Sequence, residues 1–275
     1  PGTQTIGNLH ICVRKKDAGS NYLMWYTGDV ASSSRKIFLA TSSDGISWTK
    51  NGQVLSDDGH THMPSVIWDA NESLWKMWYT SGSSTYGIHY ATSANGVSWT
   101  IYGSNPVFAV DSNPVAWDKT SVRSSEVIYD ADDSLYKMWY WGNNDDTDPG
   151  TYGIYGTGYA TSPDGITWTR QGQISDSTRL ITGEVLKING KYFMIHGVGP
   201  HIGYSMSLDG IGWDDDPDNP VIMAATEAWN PSYIQAPSIV YDSGGNLLRI
   251  YYNGADYSLP ADGTNIGLAT TPFLP

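Results

Sequence analysis

Short apolar and aromatic segments recur along the chain, each bounded by glycine, aspartate, asparagine or serine. A methionine-centred phrase is found three times, as "YLMWYTG" from Tyr22, "WKMWYTS" from Trp75 and "YKMWYWG" from Tyr136. No long stretch places apolar residues at the 3.6-residue spacing of a helix. Short aromatic runs between turn-forming residues are typical of β-strands, so the pattern predicts an all-β chain.

Two further phrases accompany the first one in a fixed order. Upstream of it lie "PSVIWD" from Pro64, "SEVIYD" from Ser125, "GEVLK" from Gly183 and "PSIVYD" from Pro237. Downstream lie "ATSSDGISWT" from Ala40, "ATSANGVSWT" from Ala91, "ATSPDGITWT" from Ala160 and the weaker "SMSLDGIGW" from Ser205, and "IGLATTPF" from Ile266 is a truncated copy. The Asp-Gly step in this phrase predicts a tight turn into the next strand.

These repeats predict a five-bladed β-propeller with four-stranded antiparallel blades, formed by residues 1–275 as a single domain. Strand A is the "SVIWD" type and lines the centre, strand B is "YKMWY", strand C is "TGYATS" and strand D is "ISWT". The aromatic and methionine positions of strand B, including Met24, Met77 and Met138, are expected to pack between blades. The fifth repeat has no strand D, so we expect the N-terminal "GTQTIG" to supply it.

Composition narrows the classes of function. The 275 residues carry a formal net charge of −13, which argues against nucleic acid as a partner because phosphate binding needs Lys and Arg. No apolar run is long enough to span a membrane, and the single cysteine, Cys12, excludes an internal disulfide. The 12 Trp and 19 Tyr against 4 Phe suit half-hydrated surfaces. A monomer that is secreted or periplasmic is expected.

One strand A position differs between blades in a way that suggests chemistry. Blades 2 and 5 carry Ser65 and Ser238 there, whereas blades 3 and 4 carry Glu126 and Glu184. A buried carboxylate costs free energy unless it is paired or hydrogen-bonded. Paired carboxylates are what glycosidic cleavage requires, so both glutamates are predicted to be catalytic and to face each other in the channel. The alternative is that they bond backbone amides or an arginine and plug the channel.

Acidic or amide residues lie eight positions before this site in four blades, at Asp57, Asp118, Asp176 and Asn230. Such a side chain can fix a turn by bonding the local backbone, and the four together would make the mouth of the channel acidic. We predict Asp118 as a third catalytic acid. The other three, with the neighbouring Trp117 and Trp229, are predicted to bind substrate.

Polar residues three positions before the same site also differ between blades, as specificity determinants would. They are His62, Arg123 and Gln235, and all three are predicted to bind substrate. Arg123 pairing with Glu126 or Asp118 is the alternative. His60 and His62 together with Asp57 or Asp58 would form a metal site, but two histidines two residues apart are a weak signal.

The sequence predicts no cofactor, with one reservation for calcium. A loop that starts at Asn143 contains Asp145, Asp146 and Asp148, and its composition suits Ca²⁺ although it lacks the EF-hand spacing. A solvated loop is the alternative.

The ordered phrases "NPVF", "AWDKTSV", "EVIYD", "LYKMWYWG" and "GYATSPDGITWT" resemble the five-bladed propeller glycosidases, namely arabinanases and β-xylosidases, invertase-like enzymes and mannoside phosphorylases. The resemblance covers essentially the whole chain and implies an acidic trio on the inner strands. In many arabinanase-type enzymes one acid of the trio lies in blade 1, in an Asp-Pro step, and a second follows Ala-Pro. In this chain blade 1 reads "NLHICV" without Asp-Pro, and blade 2 has Ser65 in place of the second acid. Glu126 and Glu184 are the residues that match an acidic inner-strand position.

Three hypotheses follow for the function. The chain is a glycoside hydrolase, a non-catalytic glycan-binding propeller, or a structural or protein-binding propeller with a plugged channel. In the first hypothesis Glu126 is the expected general acid. No basic residue stands beside Glu184 in the sequence, so exchanged roles remain an alternative.

Overall fold

The computed structural model describes residues 10–17, 19–30, 34–57, 59–144, 155–175, 183–224, 233–242, 245–255 and 264–272. Within these ranges the secondary structure consists of strands and turns, without a helix. No helix there is long and apolar enough to cross a membrane. The strands form five antiparallel sheets. The predicted all-β, five-bladed propeller is therefore confirmed.

The strands follow the predicted order, A to D in blades 1 to 4 and A to C in the described part of blade 5. Blade 1 consists of β1 (Ile11–Lys15), β2 (Tyr22–Val30), β3 (Ser34–Ser42) and β4 (Thr49–Leu55). Blade 2 consists of β5 (His60–Asp69), β6 (Leu74–Gly82), β7 (Gly87–Ser93) and β8 (Thr100–Ile101), and blade 3 of β9 (Ser121–Asp130), β10 (Leu135–Asn143), β11 (Tyr155–Ser162) and β12 (Thr169–Ser175). Blade 4 consists of β13 (Glu184–Ile188), β14 (Lys191–Val198), β15 (His201–Ser207) and β16 (Asp214–Asp215), and blade 5 of β17 (Tyr233–Asp242), β18 (Leu247–Ala255) and β19 (Thr264–Pro272).

Contacts divide the chain into two compact units. Unit 1 comprises residues 1–56 and 182–275 and holds blades 1, 4 and 5, and unit 2 comprises residues 57–181 and holds blades 2 and 3. A single domain over residues 1–275 stays a prediction.

The methionine-centred phrase forms the core of both units. Met24, Met77 and Met138 are each at most 1% exposed. In unit 2, Met138 lies in a cluster that also contains Trp78, from blade 2, and Tyr136, from blade 3. Because strand side chains alternate between faces, a run of large residues packs both faces of strand B. The prediction that the three methionines are core residues is confirmed.

Ion pairs explain the acidic residue that ends strand A. Asp69 lies 2.8 Å from Lys76, and Asp130 lies 2.7 Å from Lys137, one strand away in the same blade. Both lysines are buried, so each carboxylate neutralises a charge that would otherwise be costly to bury. These acids are structural and leave strand A's other polar positions as the candidates for chemistry.

The turn after strand C is fixed by its own side chains. In blade 1, Ser42 Oγ accepts the Gly45 N–H at 2.8 Å, and Asp44 Oδ1 accepts the N–H groups of Ile46 and Ser47, also at 2.8 Å. Gly45 has φ of 73°, a left-handed conformation that favours glycine. The predicted turn is thus confirmed.

The predicted bounds of strand D are wrong. "ISWT" was expected to form the strand, but β4 begins at Thr49 and β12 at Thr169, after the tryptophan of each phrase. The reason is that the aspartate side chain occupies the first two N–H groups of the segment and keeps them out of the sheet.

The tryptophan of this phrase packs against the preceding blade instead. In unit 1, Trp48 of blade 1 lies edge-on to Tyr251 of blade 5 with ring centroids 5.8 Å apart. In unit 2, Trp168 of blade 3 lies in the same way on Trp78 of blade 2, at 6.3 Å. The phrase therefore joins neighbouring blades as well as strands C and D.

The space between blades 4 and 5 is different. The cluster there contains no tryptophan among the described residues, and Ile195 takes the strand B position that Tyr251 and Trp78 hold elsewhere. A cavity of about 460 Å³ remains, lined by Phe193, Ile195 and Leu248 and by the edge of β19 among others. Blade 5 has three strands in the described part of the chain. The N-terminal segment expected to complete it lies outside the described residues.

Candidate functional site

The two glutamates occupy the same structural position in different blades. Each lies on strand A opposite the fourth residue of the strand B phrase, Glu126 opposite Trp139 and Glu184 opposite Ile195. The same position is held by Cys12 in blade 1, Ser65 in blade 2 and Ser238 in blade 5. The blade comparison made from the sequence therefore aligned the correct residues.

A bulge in strand A precedes this position. The register with strand B shifts between His62 and Ser65, between Arg123 and Glu126, and between Gln235 and Ser238. The residues at the shift, Met63, Ser124 and Ala236, have positive φ values of 56°, 51° and 48°. A bulge redirects the side chains that follow and precede it, and bulges are frequent beside functional sites.

The serines at this position connect neighbouring blades. Ser65 Oγ accepts the N–H of Val127, in blade 3, at 3.0 Å. Ser238 Oγ accepts the N–H of Val13, in blade 1, at 2.8 Å. Each bond satisfies a backbone donor that is buried between two strands, so a hydrogen-bond acceptor at this position has a structural use.

Glu184 also accepts a backbone N–H from the neighbouring blade, as the serines do, and it has further partners. Its carboxylate accepts hydrogen bonds from the Ile239 N–H and the Ser238 hydroxyl, and it forms an ion pair with Arg14 from β1. The side chain is buried, and Arg14 is 16% exposed. Burial raises the pKa of Glu184 above its ordinary value of 4.5, although Arg14 and the hydrogen bonds act in the opposite direction. Glu184 is thus a carboxyl that takes up a proton more readily than an exposed glutamate does.

Arg14 is a residue that the sequence analysis missed. No basic residue was expected beside Glu184, but the partner comes from another blade, 170 positions away in the chain. No local signal could have identified it.

Glu126 is also buried, at 8% exposure. Its neighbour Val127 donates to Ser65, so strand A of blade 3 is held against strand A of blade 2 at this level. Glu126 and Glu184 belong to different units. That they face each other stays a prediction.

Asp118 lies inside blade 3 with well-defined partners. It is 1% exposed, accepts the Tyr140 hydroxyl at 3.0 Å and pairs with Arg170 at 2.9 Å. Trp117 stacks on the Tyr140 ring at 5.7 Å. These contacts tie the loop before strand A to β10 and β12, through side chains rather than through the local backbone bond that was expected.

Asp57 has the corresponding arrangement in blade 2. Its carboxylate lies 2.9 Å from the Tyr79 hydroxyl and 2.7 Å from His89 Nδ1. Tyr79 and Tyr140 are the fifth residues of their strand B phrases, so the same link is built twice. The other two members of the predicted set, Asp176 and Asn230, and also Trp229, lie outside the described residues.

Arg123 and His62 meet at one aromatic ring. The Arg123 guanidinium lies 4.8 Å from the Tyr86 ring centre, and the buried His62 ring lies edge-on to the same ring at 5.5 Å. His60 is 6.3 Å from Tyr86 as well. The predicted polar residues of blades 2 and 3 are thus brought together, with Tyr86 as a member that the sequence analysis did not identify.

Gln235, the blade 5 counterpart, is half-buried and lies opposite Asn253 in the sheet. It belongs to unit 1, whereas Arg123 and His62 belong to unit 2. Its role in substrate binding stays a prediction.

The described residues contain no group of three or more His, Cys, Asp or Glu side chains placed to hold a metal ion. Asp57, one of the predicted ligands, is bonded to Tyr79 and His89. Asp58 and the calcium candidates Asp145, Asp146 and Asp148 lie outside the described residues.

Sequence comparison finds few relatives among known proteins. No family model matches the chain. Two proteins from strains of Mycobacterium tuberculosis, both named as uncharacterized, are 29% identical over 116 residues, which is 38% of this chain and 38% of each relative.

Solved structures are similar over nearly the whole chain. A thermostable family-43 glycoside hydrolase has a TM-score of 0.75 at 17% identity, covering 96% of this chain and 89% of its own. An endo-1,4-beta-xylanase from Bacteroides thetaiotaomicron has a TM-score of 0.69 at 15% identity, covering 96% and 91%. An N-acetylgalactosamine deacetylase from F. plautii, in complex with blood group B trisaccharide, has a TM-score of 0.68 at 16% identity, covering 98% of this chain and 90% of its own.

The structural similarity establishes a shared fold, but sequence identities this low leave the activity open. The resemblance to the five-bladed glycosidase propellers, first seen in the repeated sequence phrases, is thereby confirmed at the level of the fold.

Proposed function

We propose that this protein acts on carbohydrate and cleaves glycosidic bonds, with Glu126 and Glu184 as its carboxylates. The observation that carries the proposal is the pair of buried glutamates at a strand position where two other blades have serine. Serine is sufficient for the inter-blade hydrogen bond, so the larger, charged side chain has a use beyond it. Glycoside hydrolysis requires one carboxyl that donates a proton and a second that attacks or activates water.

The environment of Glu184 favours it as the general acid. Burial raises the pKa of Glu184, which favours the protonated carboxyl that a general acid needs. Glu126 then acts as the nucleophile or base, which is the reverse of the assignment favoured by the sequence. Asp118, the third predicted acid, supports the site by holding Tyr140 and Arg170.

The residues that we propose to bind substrate come from the loops before strand A and from the starts of strand A. They are Asp57, Asp176, Asn230, Trp117, Trp229, His62, Arg123 and Gln235. Solved structures with this fold include hydrolases and a deacetylase in complex with a trisaccharide, which supports carbohydrate as the class of ligand.

The test is a screen of aryl glycosides and polysaccharides for released sugar, followed by single Glu126→Gln and Glu184→Gln variants on the substrate found. Loss of a general acid typically costs about 10²–10⁴-fold in rate. Glu72→Gln, on an exposed turn of blade 2, is the matched control and is expected to retain full activity. Full turnover in both site variants would show that neither glutamate is catalytic.

A glycan-binding protein without catalysis is the second candidate. It is favoured by the hydrogen bonds of Glu184 to the Ile239 N–H and Ser238, because these give the carboxylate the structural task of the serines. In that case glycans bind to the protein, measured by calorimetry, while no sugar is released from any of them.

A further inference from the structure

The side chains around Tyr86 form a basic and aromatic cluster in unit 2 that differs from its counterparts in other blades. We define the cluster by His60, His62, Tyr86, Arg123 and Trp141. All belong to blades 2 and 3. His62 is buried and the other four are half-buried, so the cluster borders solvent. It is a concentration of basic groups in a protein whose net charge is −13.

Arg123 and Trp141 face each other directly across strands β9 and β10. The guanidinium carbon lies 4.6 Å from the Trp141 ring centre and 4.8 Å from that of Tyr86. Arg123 Nε donates to Ser121 Oγ at 2.7 Å. Two rings and a hydroxyl thus hold the guanidinium in place, and an arginine held in this way loses little entropy when it binds a ligand.

The repeats show that this pair is specific to blade 3. At the position of Trp141 the other strand B phrases have Thr27, Thr80, Gly197 and Asn253. At the position of Arg123, blades 2 and 5 have His62 and Gln235. A residue required for packing of the fold would recur in each blade, so the pair serves a purpose other than blade structure.

Two histidines also pack against Tyr86. His60 and His62 lie with ring centroids 6.4 Å apart, and His60 Nδ1 is buried without a hydrogen-bond partner. A buried polar atom without a partner costs free energy, which a ligand that bonds it would recover.

We propose that this cluster recognises the carboxylate of an acidic sugar, so that the preferred ligand is a glycan containing uronic acid. A guanidinium presents a planar fork of N–H donors that matches a carboxylate in a bidentate manner. Tyr86 and Trp141 offer partly exposed rings on which the apolar face of a sugar packs. This inference rests on the proposed function, since it names the substrate class of a carbohydrate-active protein.

The experiment measures binding of uronate-containing oligosaccharides by titration calorimetry, beside the same oligosaccharides after reduction of the carboxyl groups to alcohols. The protein is expected to bind at least one uronate ligand about 10- to 100-fold more tightly than its reduced form, the range for hydrogen bonds to a charged group. Arg123→Gln is expected to abolish this difference. Arg123→Lys keeps the charge without the planar fork, so part of the difference should remain.

Lys50→Gln is the matched control, because it removes the same positive charge at an exposed position on β4. It should leave the difference in affinity between uronate and reduced ligands intact. Thermal melting of each variant establishes that it is folded. The comparison of uronate and reduced ligands on the wild-type protein does not depend on any variant. Equal binding or cleavage of uronate and reduced ligands would overturn the uronate inference while leaving the proposed function in place. Failure to bind or cleave any glycan, acidic or neutral, would overturn the proposed function and this inference with it.

Discussion

At the scale of single residues, the ion pair of Arg14 and Glu184 decides how the candidate site responds to pH. The carboxyl is 4% exposed and the arginine 16% exposed, so water screens their interaction weakly. Burial raises the pKa of Glu184 and Arg14 lowers it, and the effect of burial is the larger. A group with a higher pKa in the folded state contributes stability at low pH, and this contribution disappears as pH rises through the raised pKa.

Replacing Arg14 by methionine is expected to raise the pKa of Glu184 further, because the opposing positive charge is removed. The variant should unfold with nearly the wild-type free energy near pH 4, where Glu184 is protonated. Near pH 7 its stability should be lower by about 3 kcal/mol, because the buried carboxyl must then either stay charged without a partner or take up a proton. Urea unfolding at a series of pH values measures the difference.

Arg35→Met provides the control, because Arg35 and Asp29 form an exposed pair at 3.7 Å in the same blade as Arg14. Its loss should change stability by less than about 1 kcal/mol at any pH. If the Arg14 and Arg35 variants show the same dependence on pH, the ion pair does not control the ionisation of Glu184.

The sequence could reveal Glu184 but not its partner. Glu184 was identified because the repeated phrases allow the strand A positions of the blades to be aligned with one another. Arg14 and Tyr86 were missed, because each reaches its partner from another blade. Contacts of that kind depend on how repeats are placed side by side, which no pattern inside one repeat encodes.

At the scale of elements, the turn between strands C and D recurs in several blades. Comparing its acidic or amide residue between blades predicts what a substitution there should do. Burial alone would raise the pKa of Asp164, but hydrogen bonds from Thr167, Ile166 and Ser162 outweigh it and lower the pKa to about 2 from 3.8. Blade 2 has Asn95 at this position, which accepts the N–H groups of Val97 and Ser98 at 2.9 Å. An amide oxygen is therefore sufficient for the turn.

Asp164→Ala is expected to lower stability at pH 7 by about 1 kcal/mol, a typical cost for losing such a cap, whereas Asp164→Asn keeps an acceptor oxygen and should lose less. The carboxylate's contribution is present above about pH 4 and is lost as pH falls through its folded pKa of about 2. The alanine variant should therefore approach the wild type in acid. Thermal melts between pH 2 and pH 7 test this, and equal melting of the two variants at pH 7 would contradict it.

The serines that connect neighbouring first strands give a second prediction at this scale. Removing the hydroxyl of Ser65 or Ser238 leaves the N–H of Val127 or Val13 buried without its acceptor. Each alanine variant should lose about 1–3 kcal/mol of unfolding free energy. Ser238→Ala should lose more than Ser65→Ala, because Ser238 also donates to Glu184.

Chemical denaturation of both variants measures these losses, with Ser84→Ala as the control on an exposed turn. The control should stay within about 0.5 kcal/mol of the wild type. If Ser65→Ala and Ser238→Ala are also that close to the wild type, these hydroxyls do not hold the strands together.

At the scale of the whole molecule, the sequence predicted the fold better than the site. Four repeats with four strands and a fifth with three can be counted directly, and the described part of the chain contains five antiparallel sheets in the same order. The exact start of strand D could not be predicted, because an aspartate side chain competes with the sheet for the same N–H groups. The residues of the site have partners in other repeats, and the sequence pattern within one repeat does not identify those partners.

The N-terminal segment is expected to complete the fifth blade. Its sheet has three strands in the described part of the chain, and a cavity of about 460 Å³ borders the edge of β19. An unpaired strand edge beside apolar side chains favours association between molecules. The sequence predicts that the segment "GTQTIG" pairs with this edge. A variant without residues 1–9 should therefore melt at a lower temperature, bind more of the dye ANS and self-associate during size-exclusion chromatography. Ile6→Val in the full chain is the matched control and should behave as the wild type, because valine suits a strand as well as isoleucine does. If the shortened chain keeps the wild-type melting temperature and dye binding, another segment completes the blade and the predicted closure is wrong.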